Sequence, residues 1–297
     1  MTAGAGAGAG AGLGRAGAVA AQVALGAALR RLRGGAGLSA DQASAAAGMP
    51  ADLIGGLERG EAEVRFWDVA GLYSAYGVSD MAARAMLLGL AYRANCREWW
   101  HSYRDVIPAW LERYVALEQA ASLVRCYCAQ TVPVLLQVPA YARALVVRQH
   151  GAAPEREVER RVELRVRRQR VLDGPAPARL WAVLDEAALR RRVSRPEVMR
   201  EQLRHLIAAC EMPNVTIHVL PFSASGHPAA IGGLLAVIRL PDREVPDIGY
   251  LEQFAGGTYF GSRGYIDYFR DVLNQLALQA DSAGPSQRIL TGILADT

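Results

Sequence analysis

Residues 38–60, LSADQASAAAGMPADLIGGLERG, constrain this chain more than any other stretch. Ser39 is a favourable N-cap, and Gln42 three residues later completes a capping box. A helix of small residues follows and stops at Gly48. Pro50 stands at the first turn of the next helix, where its missing N–H costs nothing. That helix puts Leu53, Ile54 and Leu57 on one face and ends at Gly60, a residue suited to the C′ position. Two short helices joined by a glycine-containing turn of about four residues predict a helix-turn-helix.

The flanks extend this into a helical domain. Val23–Arg33 carries Leu25, Ala28, Leu29 and Leu32 on one face. After Arg65-Phe66-Trp67, a helix over 68–76 turns Val69, Leu72 and Tyr73 inward, and Ser79 caps another that runs to Ala94. Five helices are therefore expected over 21–94. The ungapped set Leu29, Arg33, Gly37-Leu38-Ser39, Gly48, Ile54 and Leu57-Glu58-Arg59-Gly60 resembles the XRE/Cro-type DNA-binding domain of phage repressors and their bacterial relatives. The resemblance implies an ion pair between Arg33 and Glu58 that links the first and third helices. It also implies that the second helix of the motif reads bases. The candidate DNA-binding residues are Arg30 and Arg31 on phosphates, then Ser39, Gln42, Ala51, Asp52, Gly55 and Arg59. Base edges are read by side chains such as Arg, Asn and Gln, whereas Asp52 can accept from cytosine but repels phosphate. Gly55 and Gly56 each cost roughly 1 kcal/mol relative to Ala inside a helix.

Charge gives little help to a nucleic-acid reading. Across 21–94, Arg30, Arg31, Arg33, Arg59, Arg65, Arg84 and Arg93 are balanced by Asp41, Asp52, Glu58, Glu61, Glu63, Asp68 and Asp80, so this segment is formally neutral within a chain of net charge +4. Such a domain neutralises few phosphates. All 33 basic residues are arginine, which with the Ala and Gly excess points to a GC-rich, actinobacterial kind of coding sequence. Residues 1–20 are an Ala/Gly repeat, expected to be a disordered tail because such side chains bury too little area to offset ordering entropy. Cys96, Cys126, Cys128 and Cys210 form no CxxC pair, so reduced thiols, no metal site and a cytoplasmic location are expected. No stretch approaches the roughly 20 apolar residues of a membrane span.

The rest of the chain, 95–280, reads as an α+β domain with a largely antiparallel sheet, followed by a loosely attached tail over 281–297. Glu98–Pro108, with Trp99, Trp100, His101 and Tyr103, is either an exposed aromatic surface or a packed linker. A helix begins at Trp110 and turns extended near Arg125–Tyr127. Val158, Val162 and Val166 repeat every four residues among seven arginines, giving an amphipathic helix over 155–172 whose arginines either touch nucleic acid or pair with glutamates. Strands are expected at 179–184, 215–220, 233–240 and 248–254, and helices at 195–212 and 262–280. The run Val132-Pro133-Val134-Leu135-Leu136-Gln137-Val138, then Tyr141-Ala142-Arg143-Ala144, with Arg168-Gln169, Val183–Arg190, Pro213–Thr216, Val219–Phe222 and Tyr250-Leu251-Glu252, is similar to the uncharacterised C-terminal domain of actinobacterial WhiJ-like regulators.

Together these features lead to the expectation of a DNA-binding transcriptional regulator, a homodimer on double-stranded DNA. Its second domain senses a ligand or, as the resemblance implies, a small BldB-like partner protein. No catalytic residue, cofactor or metal is expected. Two rivals stay open. In one, the helix-turn-helix no longer reads DNA and the protein sequesters a partner. In the other, Asp185, Glu186 or Glu252, all near strand ends, serve a nucleotide-using enzyme. The loop Ser223–Gly233 is the first place to look for a small molecule.

Overall fold

The computed structural model describes residues 17–224, 233–242, 245–253, 255–282 and 285–297. The chain divides into two units. One comprises the chain up to His101 with Leu240–Pro246, the other Ser102–Arg239 with Asp247–Thr297.

Among the described residues the first unit holds five α-helices, α1 (Ala18–Gly35), α2 (Ala40–Ala47), α3 (Ala51–Glu58), α4 (Phe66–Ala75) and α5 (Met81–Ala94), the last capped by the Asp80 carboxylate and not, as expected, by Ser79. Leu25, Leu29, Ile54, Leu57, Leu72 and Leu87 make its core. The expected tail over 1–20 ends early, because α1 begins at Ala18. Ala20 and Ala21 are buried, and the Ala18 N–H donates to the Glu98 carboxylate. Small side chains here permit close packing. The rest of that expected tail, 1–16, lies outside the described residues. Past α5, Trp99–Tyr103 is a turn of 3-10 helix in which Trp100 and Tyr103 are buried, so the stretch is not an exposed aromatic surface.

The second unit runs α6 (Ala109–Ala120), β1 (Leu123–Cys128), α7 (Pro139–Gln149), α8 (Glu155–Arg168), β2 (Arg179–Asp185), α9 (Glu186–Arg190), α10 (Pro196–Ala209), β3 (Val215–Leu220), β4 (Leu235–Arg239), β5 (Ile248–Gln253), β6 (Gly256–Phe260), α11 (Arg263–Ser282) and α12 (Ser286–Asp296). The strands form one sheet in the order β3-β2-β1-β4-β5-β6. Pairs β1–β4, β4–β5 and β5–β6 are antiparallel. Pairs β1–β2 and β2–β3 are parallel, as their helical crossovers require. One face packs Tyr127, Val183, Leu235 and Val237 against Phe269, Val272, Leu273 and Leu276 of α11. Side chains alternate along a strand, so Cys126, Ala182, Ala236 and Tyr250 point to the opposite face. There Tyr250 meets Tyr114 of α6 at 4.4 Å between ring centroids.

Residues 281–297 were expected to be loosely attached, and this is corrected. Pro285 starts α12, whose Leu290 and Ile293 are buried at 0% and 1% exposure. Ser286 Oγ accepts the Val219 N–H at 2.8 Å. The helix thereby covers part of β3, an edge strand whose free N–H groups would otherwise invite pairing.

Candidate functional site

The helix-turn-helix is built as its sequence implies. Ser39 Oγ accepts the Gln42 N–H at 3.1 Å, and Gln42 Oε1 accepts the Ser39 N–H at 2.8 Å. Gly48 closes α2 at φ +64°, a left-handed conformation that suits glycine. Pro50 is the N-cap of α3 rather than its first residue, with an extended ψ of 137°. Arg33 and Glu58 form the ion pair the resemblance implied. It is bidentate, Nε to Oε1 at 2.6 Å and Nη2 to Oε2 at 2.8 Å, while Nη1 donates to the Leu38 carbonyl at 2.9 Å. One guanidinium thus ties α1 to the end of α3 and to the approach to α2. Tyr76 adds its ring beside Glu58, and burial, then the Glu58 charge, pushes its hydroxyl up to about 12.

The two glycines of α3 do different things. A Cβ on Gly56 would lie 3.1 Å from Ala62 Cβ, so this residue lets the chain fold back after the helix. A Cβ on Gly55 would meet only the end of the Arg59 side chain, at 3.0 Å. Gly55 therefore faces outward. Gly26 on α1 is the tightest of the three, with a Cβ position 2.5 Å from the Leu57 carbonyl. It sets the approach of α1 to α3.

Of the eight candidate DNA-binding residues, Arg30, Arg31, Ser39, Gln42, Asp52 and Arg59 are exposed, and Ala51 and Gly55 are partly so. Their chemistry is restricted. The capping box occupies Gln42 Oε1, leaving its amide N–H groups to donate, whereas bidentate readout of adenine needs both ends. The Arg59 guanidinium is paired to Glu61 at 2.7 Å, and Arg65 lies 3.7 Å from Glu63. Asp52 occupies the first turn of α3, where the helix dipole favours an anion. Sequence reading gave Arg65-Phe66-Trp67 only a connecting role. Yet Trp67 is 68% exposed and Arg65 sits over its ring at 5.9 Å. A basic residue beside two aromatics was the available signal.

In the second unit the three candidate carboxylates do not converge. Asp185 follows Val183 by two residues and shares its face. It accepts from the Tyr127 hydroxyl at 3.0 Å and caps α9 through the Ala187 N–H at 2.8 Å. Glu186 accepts from Arg190 at 2.5 Å and from the Phe222 N–H at 2.9 Å. Glu252 follows Tyr250 and lies on the other face. Burial raises its pKa, the Arg168 and Arg165 charges oppose that, and Glu118 adds to it. The arginine-rich helix α8 is largely occupied within the fold. Arg161 pairs with Glu157 at 2.7 Å and Arg160 with Asp105 at 2.7 Å, and Arg168 makes a buried bidentate pair with Glu118 at 2.8 and 2.9 Å. Most of the loop Ser223–Gly233, including His227, lies outside the described residues.

Neither a curated protein nor a solved structure matches the chain. Residues 24–86 match the family described as a helix-turn-helix domain, which spans all of the motif and its ion pair. Residues 111–292 match the family described as a domain of unknown function (DUF5753). That match takes in every strand of the sheet and most of α12, and since it covers more than half of the chain, this protein belongs to the DUF5753 family, with a helix-turn-helix domain ahead of the family's characteristic region.

Proposed function

We propose that the protein is a cytoplasmic transcriptional regulator of the XRE/Cro type. It binds double-stranded DNA as a homodimer, and its larger unit responds to a ligand or to a small BldB-like partner protein. The observation that carries the reading is the braced motif with an accessible outer face. The Arg33–Glu58 pair holds α3 in place while Asp52, Arg30 and Arg31 remain exposed. Dimerisation is part of the proposal because one short recognition helix supplies few base contacts. Met81, Ala85 and Tyr92 lie along one side of α5 and are exposed, which supports that helix as the dimer contact. The reading assigns no catalysis, since Asp185 and Glu186 already serve a helix cap and an ion pair.

Fluorescence anisotropy of the purified protein on its own upstream DNA, titrated with salt against a scrambled duplex, tests this. Preferential binding to the native duplex, weakened on both duplexes in Arg30→Ala and in Arg31→Ala, is the expected result. Equal, weak binding to both duplexes would instead favour partner sequestration, which the neutral charge of 21–94 also fits.

A further inference from the structure

The second unit contains a cavity of about 320 Å³ at the amino ends of the parallel strands, lined by Leu123, Arg125, Arg179, Leu180, Trp181, Pro213, Asn214, Thr216 and Asn274. Ligand sites of small-molecule size start near this volume. Its charge is one-sided. No carboxylate is among the lining residues, and two arginines are.

Arg125 is half-buried on the α11 face, with its guanidinium 4.1 Å from the Trp181 ring centroid. Its hydrogen-bond partner is neutral, the Asn274 side-chain oxygen at 2.7 Å. Burial, then the charges of Arg239 and Arg270, lowers its pKa, and only Asp247 opposes. Asp247 is already shared, accepting from Arg239 at 2.9 Å and from Arg270 at 2.6 Å. Asp247 therefore offsets the Arg125 charge only from a distance, no carboxylate pairs with Arg125 among the described residues, and a half-buried cation without a close counter-ion is costly. Arg179 adds a second positive group at the rim.

The other lining groups define the rest of a ligand. Asn214 uses its NH2 on the Leu172 and Ala178 carbonyls, at 3.0 and 2.9 Å, which leaves its side-chain oxygen to accept. Asn274 gives its oxygen to Arg125, which leaves its NH2 to donate. Leu123, Leu180, Trp181 and Pro213 supply apolar surface.

We propose that this cavity binds a small organic acid, one carboxylate on a compact apolar body. The carboxylate is held by Arg125 and Arg179, and the body rests against Trp181, Leu180 and Pro213. The proposal deepens the reading of the second unit as a sensor and rests on it only for the consequence at DNA.

The test is calorimetric titration of the full chain with benzoate and indole-3-acetate, their neutral amides benzamide and indole-3-acetamide, and inorganic phosphate. The acids are expected to bind roughly tenfold or more tightly than the amides, the scale of one charge-assisted contact. Arg125→Gln should remove most of the preference for the acids over the amides. Arg179→Gln, a change at an exposed position that leaves the core intact, should weaken the acids several-fold and spare the amides. No acid binding at millimolar concentration, equal binding of acids and amides, or phosphate binding as tightly as the acids would overturn the proposal. DNA affinity measured with and without the bound acid separates the two readings. Acid binding with unchanged DNA affinity leaves the cavity and removes the sensing role. Tight DNA binding with no acid binding removes the cavity proposal alone.

Discussion

Asp247 shows how one side chain can join distant parts of the sequence. It reaches Arg239 at the end of β4 and Arg270 on α11, and it is buried. Burial would raise its pKa, but the hydrogen bonds from Arg239 and Arg270 outweigh this and hold it below the usual carboxylate value. The sign of the linkage follows. A carboxylate whose folded pKa is depressed contributes stability that is present above its unfolded value, about 3.9, and is lost as pH falls through the folded value. Asp247→Asn should therefore lower the thermal midpoint at pH 7, with the gap to the parent protein closing below about pH 4. A gap that persists unchanged at pH 3 would mean that the residue acts through packing instead. The ion pair of Arg33 and Glu58 makes a parallel case in the first unit. Their side chains are 19% and 6% exposed. Arg33→Leu should destabilise that unit by about 3 kcal/mol, because Glu58 is left buried without its partner. Chemical denaturation followed by circular dichroism would measure it.

Among elements, α1 and α3 carry opposite lessons about glycine. Gly26→Ala drives a Cβ into the Leu57 carbonyl and should cost about 1–3 kcal/mol. Gly55→Ala meets only the flexible end of Arg59 and should be neutral or stabilising by up to about 1 kcal/mol. Paired urea titrations of the two variants give the comparison, and equal effects would show that α1 and α3 do not approach as closely as described. These sites also mark what the sequence made legible. The capping box, the turn glycines and the periodic spacing of leucines announced all five helices, because helix signals are local, whereas the Arg33–Glu58 pair was implied only by the family resemblance. The difference between Gly26, Gly55 and Gly56 depends on what a neighbouring helix or turn brings opposite them, which no local pattern carries. Likewise β1 was visible only as an extended tendency near Arg125–Tyr127. Its parallel pairing with β2 is made across two helices, which no local pattern carries, although the largely antiparallel character of the sheet was legible. The α12 helix was hidden for a related reason. Pro285 and the short apolar run of Ile289, Leu290 and Ile293 resemble a frayed end until α10 and β3 are present to bury them. Leu290→Ala should cost about 2–5 kcal/mol, the range for a fully buried leucine, and a thermal melt of the full chain would detect it.

For the whole molecule, the disposition of arginine decides how it would meet DNA. The chain carries net charge +4, yet many of its cations are committed internally. Arg33, Arg59, Arg160, Arg161 and Arg168 each have a carboxylate within ion-pair distance. The residues of the cavity were invisible in the sequence for the same reason that its charge is concentrated: Arg125, Arg179, Asn214 and Asn274 come from β1, β2, the turn before β3, and α11. Near the motif the exposed arginines Arg30 and Arg31 form a small basic patch. Counter-ion release scales with the number of phosphates neutralised, at about 0.9 per phosphate in the slope of log affinity against log salt. A protein using two such arginines per subunit, and so about four per dimer, should show a slope of only about −3 to −5. Arg30→Ala and Arg31→Ala should each flatten it by about 2 in a dimer, because each subunit then neutralises one phosphate fewer. A slope near −8 or steeper would mean that a larger basic surface engages DNA, and the place to look would be Arg156 on α8 and Arg170 in the turn that follows it. A slope near zero with measurable sequence preference would instead assign the affinity to groups that do not touch phosphate, for which the exposed Trp67 beside Arg65 is the available candidate.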